Sequence, residues 1–168
     1  ASYLSRELPV LSAAKGIEFE TGARMSQVLE SEGWAPERIA VLSGPNLAHE
    51  VARGLPAASV VASSAPATAR AWQEALAGPA FRVYTSADVA GVELGGALKN
   101  VIAIAAGAAW GLEFGANTVA SIMTRGLAEM TRFGVACGAD ALTFQGLAGV
   151  GDLAATCFSP LSRNRRFG

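Results

Sequence analysis

Lysine is almost missing from this 168-residue sequence: two residues, Lys15 and Lys99, stand against eleven arginines. Histidine occurs once, at His49, and cysteine twice, at Cys137 and Cys157. So few leave no His/Cys cluster for zinc and no disulfide framework, and reduced thiols in a cytoplasmic setting are the expectation. Neither sign of charge dominates. With a net charge of −1, no long-range field draws the chain to nucleic acid or to an anionic membrane. The longest uncharged, strongly apolar run, Val101 to Leu112, is too short to span a bilayer and holds two glycines, and no signal peptide precedes it. Small molecules or other proteins remain as partners. No integral membrane segment is expected, and a homo-oligomer is left open. The length fits one domain or parts of two.

Against these shortages the placement of the two lysines is informative. Lys99 lies in Gly95-Gly96-Ala97-Leu98-Lys99-Asn100, among small and apolar residues, and Lys15 is followed by Gly16 and Ile17. Arginine stays protonated in proteins, whereas a desolvated lysine shifts its pKa and moves a proton, or serves as a compact charge at an anion. The plainer alternative is a lysine that snorkels to water from an apolar helix. The residues alone leave both open.

Along the first half, apolar segments alternate with helical patterns, which predicts a parallel sheet with crossover helices. Strands are expected at Pro9 to Ala13, Ile39 to Leu42, Ala57 to Ala62 and Phe81 to Tyr84. Helices are expected from about Arg24 to Ser31, from the Ser43-Gly44-Pro45-Asn46 turn to near Gly54, and from about Ala67 to Leu76. A strand, a glycine-bearing turn and a helix bring backbone N–H groups to a helix N-terminus, where an anion is favoured. After Tyr84 the pattern becomes all-helical. One helix is expected from Asp88 to about Ala109, and a second from an N-cap at Asn117 to about Ala136, with Val119, Ile122, Met123, Leu127, Met130 and Phe133 on its buried face. Arg125, Glu129 and Arg132 read as its solvated charged face. The domain boundary falls near Ser86 to Asp88.

Five strings occur in order along the chain: Lys15-Gly16-Ile17-Glu18, Leu42-Ser43-Gly44-Pro45-Asn46-Leu47-Ala48-His49-Glu50, Gly91-Val92-Glu93-Leu94-Gly95-Gly96-Ala97-Leu98-Lys99-Asn100-Val101, Gly146-Leu147-Ala148-Gly149-Val150-Gly151-Asp152-Leu153 and Ser162-Arg163-Asn164. Together they resemble bacterial NAD(P)-dependent glycerol-3-phosphate dehydrogenase, over essentially the whole chain. The resemblance implies a fold class of α/β Rossmann-type partial parallel sheet followed by an all-α substrate domain. Residues 1–87 would be the C-terminal part of the dinucleotide-binding domain, and residues 88–168 the N-terminal part of the helical substrate-binding and catalytic domain. The family's amino-terminal glycine-rich fingerprint is not among these residues. The sequence starts at Ala1 without methionine and ends at Gly168 behind a basic run, so it reads as a fragment, expected to be inactive alone. Gly149-Val150-Gly151-Asp152-Leu153-Ala154 matches GxGxxA, but no buried strand precedes it and no acidic residue follows at the required distance.

The activity implied is interconversion of dihydroxyacetone phosphate and sn-glycerol 3-phosphate with NAD or NADP, feeding phospholipid synthesis. Such a reduction needs a group that stabilises and protonates the developing alkoxide, and the resemblance gives that task to Lys99. Lys15, placed beside it, would bind substrate or cofactor and depress the pKa of Lys99. Gly44 and Asn46 are implied at substrate and Ala48 at the cofactor. Asp152 would orient the substrate hydroxyls or Lys99; an N-cap role before Leu153 is the alternative. Ser162, Arg163 and Asn164 resemble a phosphate-binding triplet, Arg163 also reaching the cofactor, although a basic run at a chain end is otherwise a solvated tail. Thr156 and Asn117 are weaker additions, and His49 reads as an exposed helix residue. Two other classes stay in view: a Schiff-base lyase or aldolase built on Lys99, and a non-catalytic fragment. Hydride transfer requires Lys99, Asp152 and Arg163 to converge on one cleft between the two halves.

Overall fold

A computed structural model describes residues 4–168. The apolar runs of the first half form four strands, β1 (Val10–Ser12), β2 (Ile39–Ser43), β3 (Ala57–Ala62) and β4 (Phe81–Ser86), in sheet order β1-β2-β3-β4. Between them lie three helices, α1 (Met25–Ser31), α2 (Ala48–Ala52) and α3 (Pro66–Leu76). β1 pairs parallel to β2 and β3 parallel to β4, but β2 and β3 run antiparallel. The expectation of a parallel sheet is corrected at that one pairing. Connection length supplies the reason. The connection between β2 and β3, residues 44–56, is close to the shortest that a parallel crossover takes, and its helix α2 advances only about 7.5 Å.

Successive side chains of a strand face opposite ways, and both faces of the sheet are covered. Ala40, Val61 and Val83 meet Ala69 and Trp72 of α3 on one face. On the other, Val41 and Ala62 meet Val92 and Ala148 from the second half of the chain. The N-terminal part of α4 (Val89–Gly111) therefore packs under the sheet, while its remainder enters a helical core with α5 (Gly115–Ala136) and α6 (Asp152–Phe158) around Ala103, Ala106, Val119, Phe144 and Leu153. Asp88 caps α4 by accepting from the Gly91 amide at 2.9 Å. By length and composition α4 is apolar enough to cross a membrane, yet half of that stretch is buried within the protein. It is the shared core helix of the two halves.

Two local expectations in α5 need correction. Asn117 is not the N-cap: the helix begins at Gly115, whose φ of +79° turns the chain in from Phe114, and the Asn117 carbonyl accepts from Ser121 Oγ. Phe133 is half exposed rather than buried. Its neighbour Gly134 takes the core-facing position because the ring of Phe144 lies where a side chain there would stand. Phe144 is fully buried, and a cavity in its place would cost about 3–5 kcal/mol. Glu129 and Arg132 pair on the exposed side, as the charge pattern predicted.

Candidate active site

The candidate side chains are delivered by elements from both halves of the chain. Lys15 lies on the loop leaving the carboxyl end of β1, and Gly44 and Asn46 lie just beyond β2. Lys99 projects from mid-α4, and Asp152 and Thr156 stand one turn apart at the start of α6. Gly44 has φ +143°, and a Cβ there would come within 2.9 Å of Ser59 Cα; only glycine lets the turn close against β3.

The two lysines share one carboxylate. Lys99 Nζ donates to Asp152 Oδ1 at 2.5 Å and to Thr156 Oγ1 at 2.7 Å. Lys15 Nζ donates to Asp152 Oδ2 at 2.7 Å, to the Gly44 carbonyl at 3.0 Å and to Asn46 Oδ1 at 3.1 Å. Asp152 and Lys99 are buried, 2% and 6% exposed, whereas Lys15 is only partly covered. Two ammonium groups against one carboxylate leave the cluster with a positive excess. Burial pushes the Lys99 pKa below its ordinary 10.5; the Asp152 carboxylate opposes that shift, and the Lys15 ammonium adds to it. The snorkelling alternative for Lys99 does not hold. Nor does Asp152 cap α6: its side chain points to the lysines, and Gly151 precedes the helix without a side-chain cap.

An ammonium carries three N–H donors. All three of Lys15 are matched by protein acceptors, whereas Lys99 has two acceptors among the described residues and lines an open cleft of about 860 Å³. Its third N–H is available to a ligand. Lys15, Asn46, Ala48, Lys99, Ser162, Arg163 and Asn164 line that cleft; Gly44 and Asp152 stand behind it. Ser162 is buried, and its Oγ accepts from the Arg165 amide at 3.2 Å, capping α7 (Arg163–Phe167). Its hydroxyl proton is left to donate. Asn164 donates to Asn100 Oδ1 at 2.7 Å, and Asn100 reaches the Lys15 carbonyl at 3.4 Å. Arg163 sits exposed on the rim, its guanidinium making no hydrogen bond or ion pair among the described residues. Asn117 lies on α5, outside the cleft lining.

Four residues gained a structural role that sequence reasoning did not give them. Asn100 bridges α7 to the Lys15 loop, Ser59 receives the Asn46 amide at 3.1 Å, and Glu93 is a buried carboxylate on α4. His49 is exposed but lines the cleft beside Ala48. Asn100 and Glu93 had a legible signal, since each is a polar residue within an apolar helix. The GxGxxA segment follows no strand; its glycines lie in a π-helical turn, Leu147–Gly151, that packs under α4.

Comparison with known proteins fits this geometry. Residues 1–69 match the family model for the NAD-dependent glycerol-3-phosphate dehydrogenase N-terminus, and residues 88–168 match that for its C-terminus. The chain is 60% identical over 160 residues to a glycerol-3-phosphate dehydrogenase (NAD(P)+) of Corynebacterium urealyticum, covering 95% of this chain and 48% of the relative. It is 57% identical over 169 residues to that of Corynebacterium aurimucosum, covering 100% and 51%. Among solved structures, glycerol-3-phosphate dehydrogenase from Coxiella burnetii superposes with a TM-score of 0.89 at 44% identity, covering 94% of this chain and 48% of that one. The Saccharomyces cerevisiae enzyme gives 0.83 at 30%, covering 98% and 51%. The chain thus spans about half the length of the curated relatives it matches. With both family models in sequence order, on a fold these structures share, the chain belongs to the NAD-dependent glycerol-3-phosphate dehydrogenase family.

Proposed function

We propose that the full-length protein interconverts dihydroxyacetone phosphate and sn-glycerol 3-phosphate with NAD(H) or NADP(H), and that Lys99 is its proton-transfer group. The observation that carries this reading is the state of Lys99: buried, held by Asp152 and Thr156, and facing the cleft with one N–H to spare. In reduction, that ammonium donates its proton to the substrate oxygen as the carbonyl becomes an alkoxide; in oxidation, the neutral amine takes the hydroxyl proton back. Asp152 and Thr156 hold it in place, Lys15 anchors the other oxygen of Asp152, and the positive excess of the cluster stabilises the developing oxyanion. Asn46 and Asn164 offer amides to the substrate, and Ser162 a hydroxyl. Arg163, exposed at the rim, supplies a forked donor for the phosphate.

The residues present fit a dinucleotide. Ala13 and Ala48 line the cleft at the carboxyl ends of β1 and β2, where α/β folds bind such ligands, and their small side chains admit a flat ring. When bound there, the nicotinamide supplies or accepts the hydride. Lys15, Ala48 and Arg163 would hold its near end. The division we favour, residues 1–87 on the dinucleotide side and 88–168 on the substrate side, rests on β4 ending at Ser86 and α4 starting at Val89. Free Cys137 and Cys157 suit a cytoplasmic location, and the product is the backbone on which glycerophospholipids are built.

Oxidation of NADH or NADPH by the full-length protein, followed by absorbance with dihydroxyacetone phosphate and with unphosphorylated dihydroxyacetone, tests the reading. Turnover is expected with the phosphate ester and to be far weaker without it. Equal rates on the two ketones, or none on either, would contradict it.

A further inference from the structure

Glu93 lies six residues before Lys99 on α4, is 7% exposed and does not line the cleft. Its two carboxylate oxygens accept three hydrogen bonds, all from one short segment: the Ser26 amide at 2.7 Å, Ser26 Oγ at 2.6 Å and Arg24 Nη1 at 2.7 Å. A buried ion pair is weak evidence for stability as such, so what this one holds in place is the informative question.

The segment begins with Lys15. Beyond it the chain makes a narrow excursion closed at its base by the Ile17–Arg24 bridge, with Glu18 N bonded to the Ala23 carbonyl at 2.9 Å and Gly22 N to the Glu18 carbonyl at 3.0 Å. Residues 19–22 are exposed, Phe19 completely, so the tip gains no hold on the protein and the excursion depends on its two ends. Both ends dock on one face of α4. Glu93, Gly96 and Asn100 stand at i, i+3 and i+7 and fall on one side of the helix. Glu93 grips Arg24 and Ser26. Gly96 leaves room for the Lys15 stem, whose Cγ would be 3.2 Å from a Cβ at that position. Asn100 Nδ2 points to the Lys15 carbonyl at 3.4 Å.

We infer that Glu93 is a positioning residue for Lys15: by clamping Arg24 and Ser26 it fixes the far end of the segment whose near end sets the second ammonium on Asp152. This inference rests on the reading of Lys15 and Lys99 given above. Glu93 touches neither substrate nor cofactor, and its effect on turnover passes through Lys15.

The test is a double-mutant cycle in the full-length protein, with kcat/KM for dihydroxyacetone phosphate measured for wild type, Glu93→Gln, Lys15→Met and the double variant, alongside hydrogen exchange over residues 15–26. Glu93→Gln is expected to lower kcat/KM about tenfold, the lower end of what loss of an outer-sphere partner costs at metal sites, with Glu93→Asp recovering part of the loss. The double variant should fall within about twofold of Lys15→Met alone, because residues acting through one path are not additive. Exchange over residues 15–26 should be faster in Glu93→Gln. Losses that multiply, unchanged kcat/KM in Glu93→Gln, or unchanged exchange over that segment would each overturn the inference. Should Glu93→Gln fail to fold, Arg24→Met removes one of the three contacts and enters the same cycle. A wild type that does not reduce dihydroxyacetone phosphate refutes the proposed activity instead, and the exchange measurement still decides the role of Glu93.

Discussion

Lys15 and Lys99 grip opposite oxygens of a single carboxylate, Asp152, one from the sheet half of the chain and one from the helical half. Two influences of opposite sign therefore reach Lys99. Lys15 lowers the pKa of Lys99, and Asp152 raises it.

The sign of that arrangement is measurable in the pH profile of glycerol 3-phosphate oxidation, which in the proposed mechanism requires the neutral amine of Lys99. The neutral fraction grows as pH rises through the Lys99 pKa, so kcat should climb along a limb below the ordinary lysine value of 10.5. Lys15→Met removes a lowering influence, and the limb should move to higher pH. Asp152→Asn removes a raising one, and it should move to lower pH, with kcat reduced in both. The thiol of Cys157, which feels the Lys99 charge, is pushed up to about 11 by burial and stays neutral on the acid side of that value. Limbs moving in the same direction would show that the shared carboxylate does not govern Lys99.

Lys99→Arg keeps the charge and removes the transferable proton, because guanidinium does not deprotonate in proteins. Turnover in the full-length protein should fall by about 10²–10⁴, the usual scale of general acid–base help. Steady-state kinetics on dihydroxyacetone phosphate provide the check, and near-normal kcat would remove Lys99 from the chemistry.

Arg163 has no competing partner among the described residues and stands on the rim. Arg163→Ala should raise KM for the phosphorylated ketone at least tenfold while changing kcat/KM for the unphosphorylated one little, in line with a lost charge-assisted contact. A similar loss on both ketones would place Arg163 away from the phosphate.

The two cysteines should differ in reactivity. Cys137 is exposed, whereas Cys157 is fully buried with its thiol pKa raised to about 11 by desolvation, an effect that Lys99 partly offsets. An aromatic disulfide reagent at pH 8 should titrate one of them quickly in the native protein and both after denaturation. Fast labelling of Cys157 in the native state would be inconsistent with the core around α6.

The elements were largely legible because periodicity is a local property. Alternation in Phe81–Ser86 and the apolar runs at Ile39–Ser43 and Ala57–Ala62 announced strands within a residue or two of their observed ends. The direction of β3 was not legible, since it depends on how far the chain travels after Gly44, and the sequence marks no strand length for the return. Phe133 and Gly134 exchanged places for a similar reason: which neighbour faces inward depends on Phe144, ten residues away in sequence. At the site, the motifs marked Lys15, Lys99 and Asp152 but could not tell a cap from a shared counter-ion, because the Asp152 partners lie 53 and 137 residues upstream. Glu93 lies inside one of the five motifs, but its role was not legible there, its partners Arg24 and Ser26 lying 69 and 67 residues away.

Since α4 is embedded both beneath the sheet at Val92 and in the helical core at Ala103 and Ala106, the spacing of Glu93, Gly96, Lys99 and Asn100 is that of a single rod, about 1.5 Å per residue along its axis. It does not vary with how two separately folded bodies settle against each other. The cleft therefore has one fixed jaw, and bending it would open gaps among close-packed atoms at both of its anchorages.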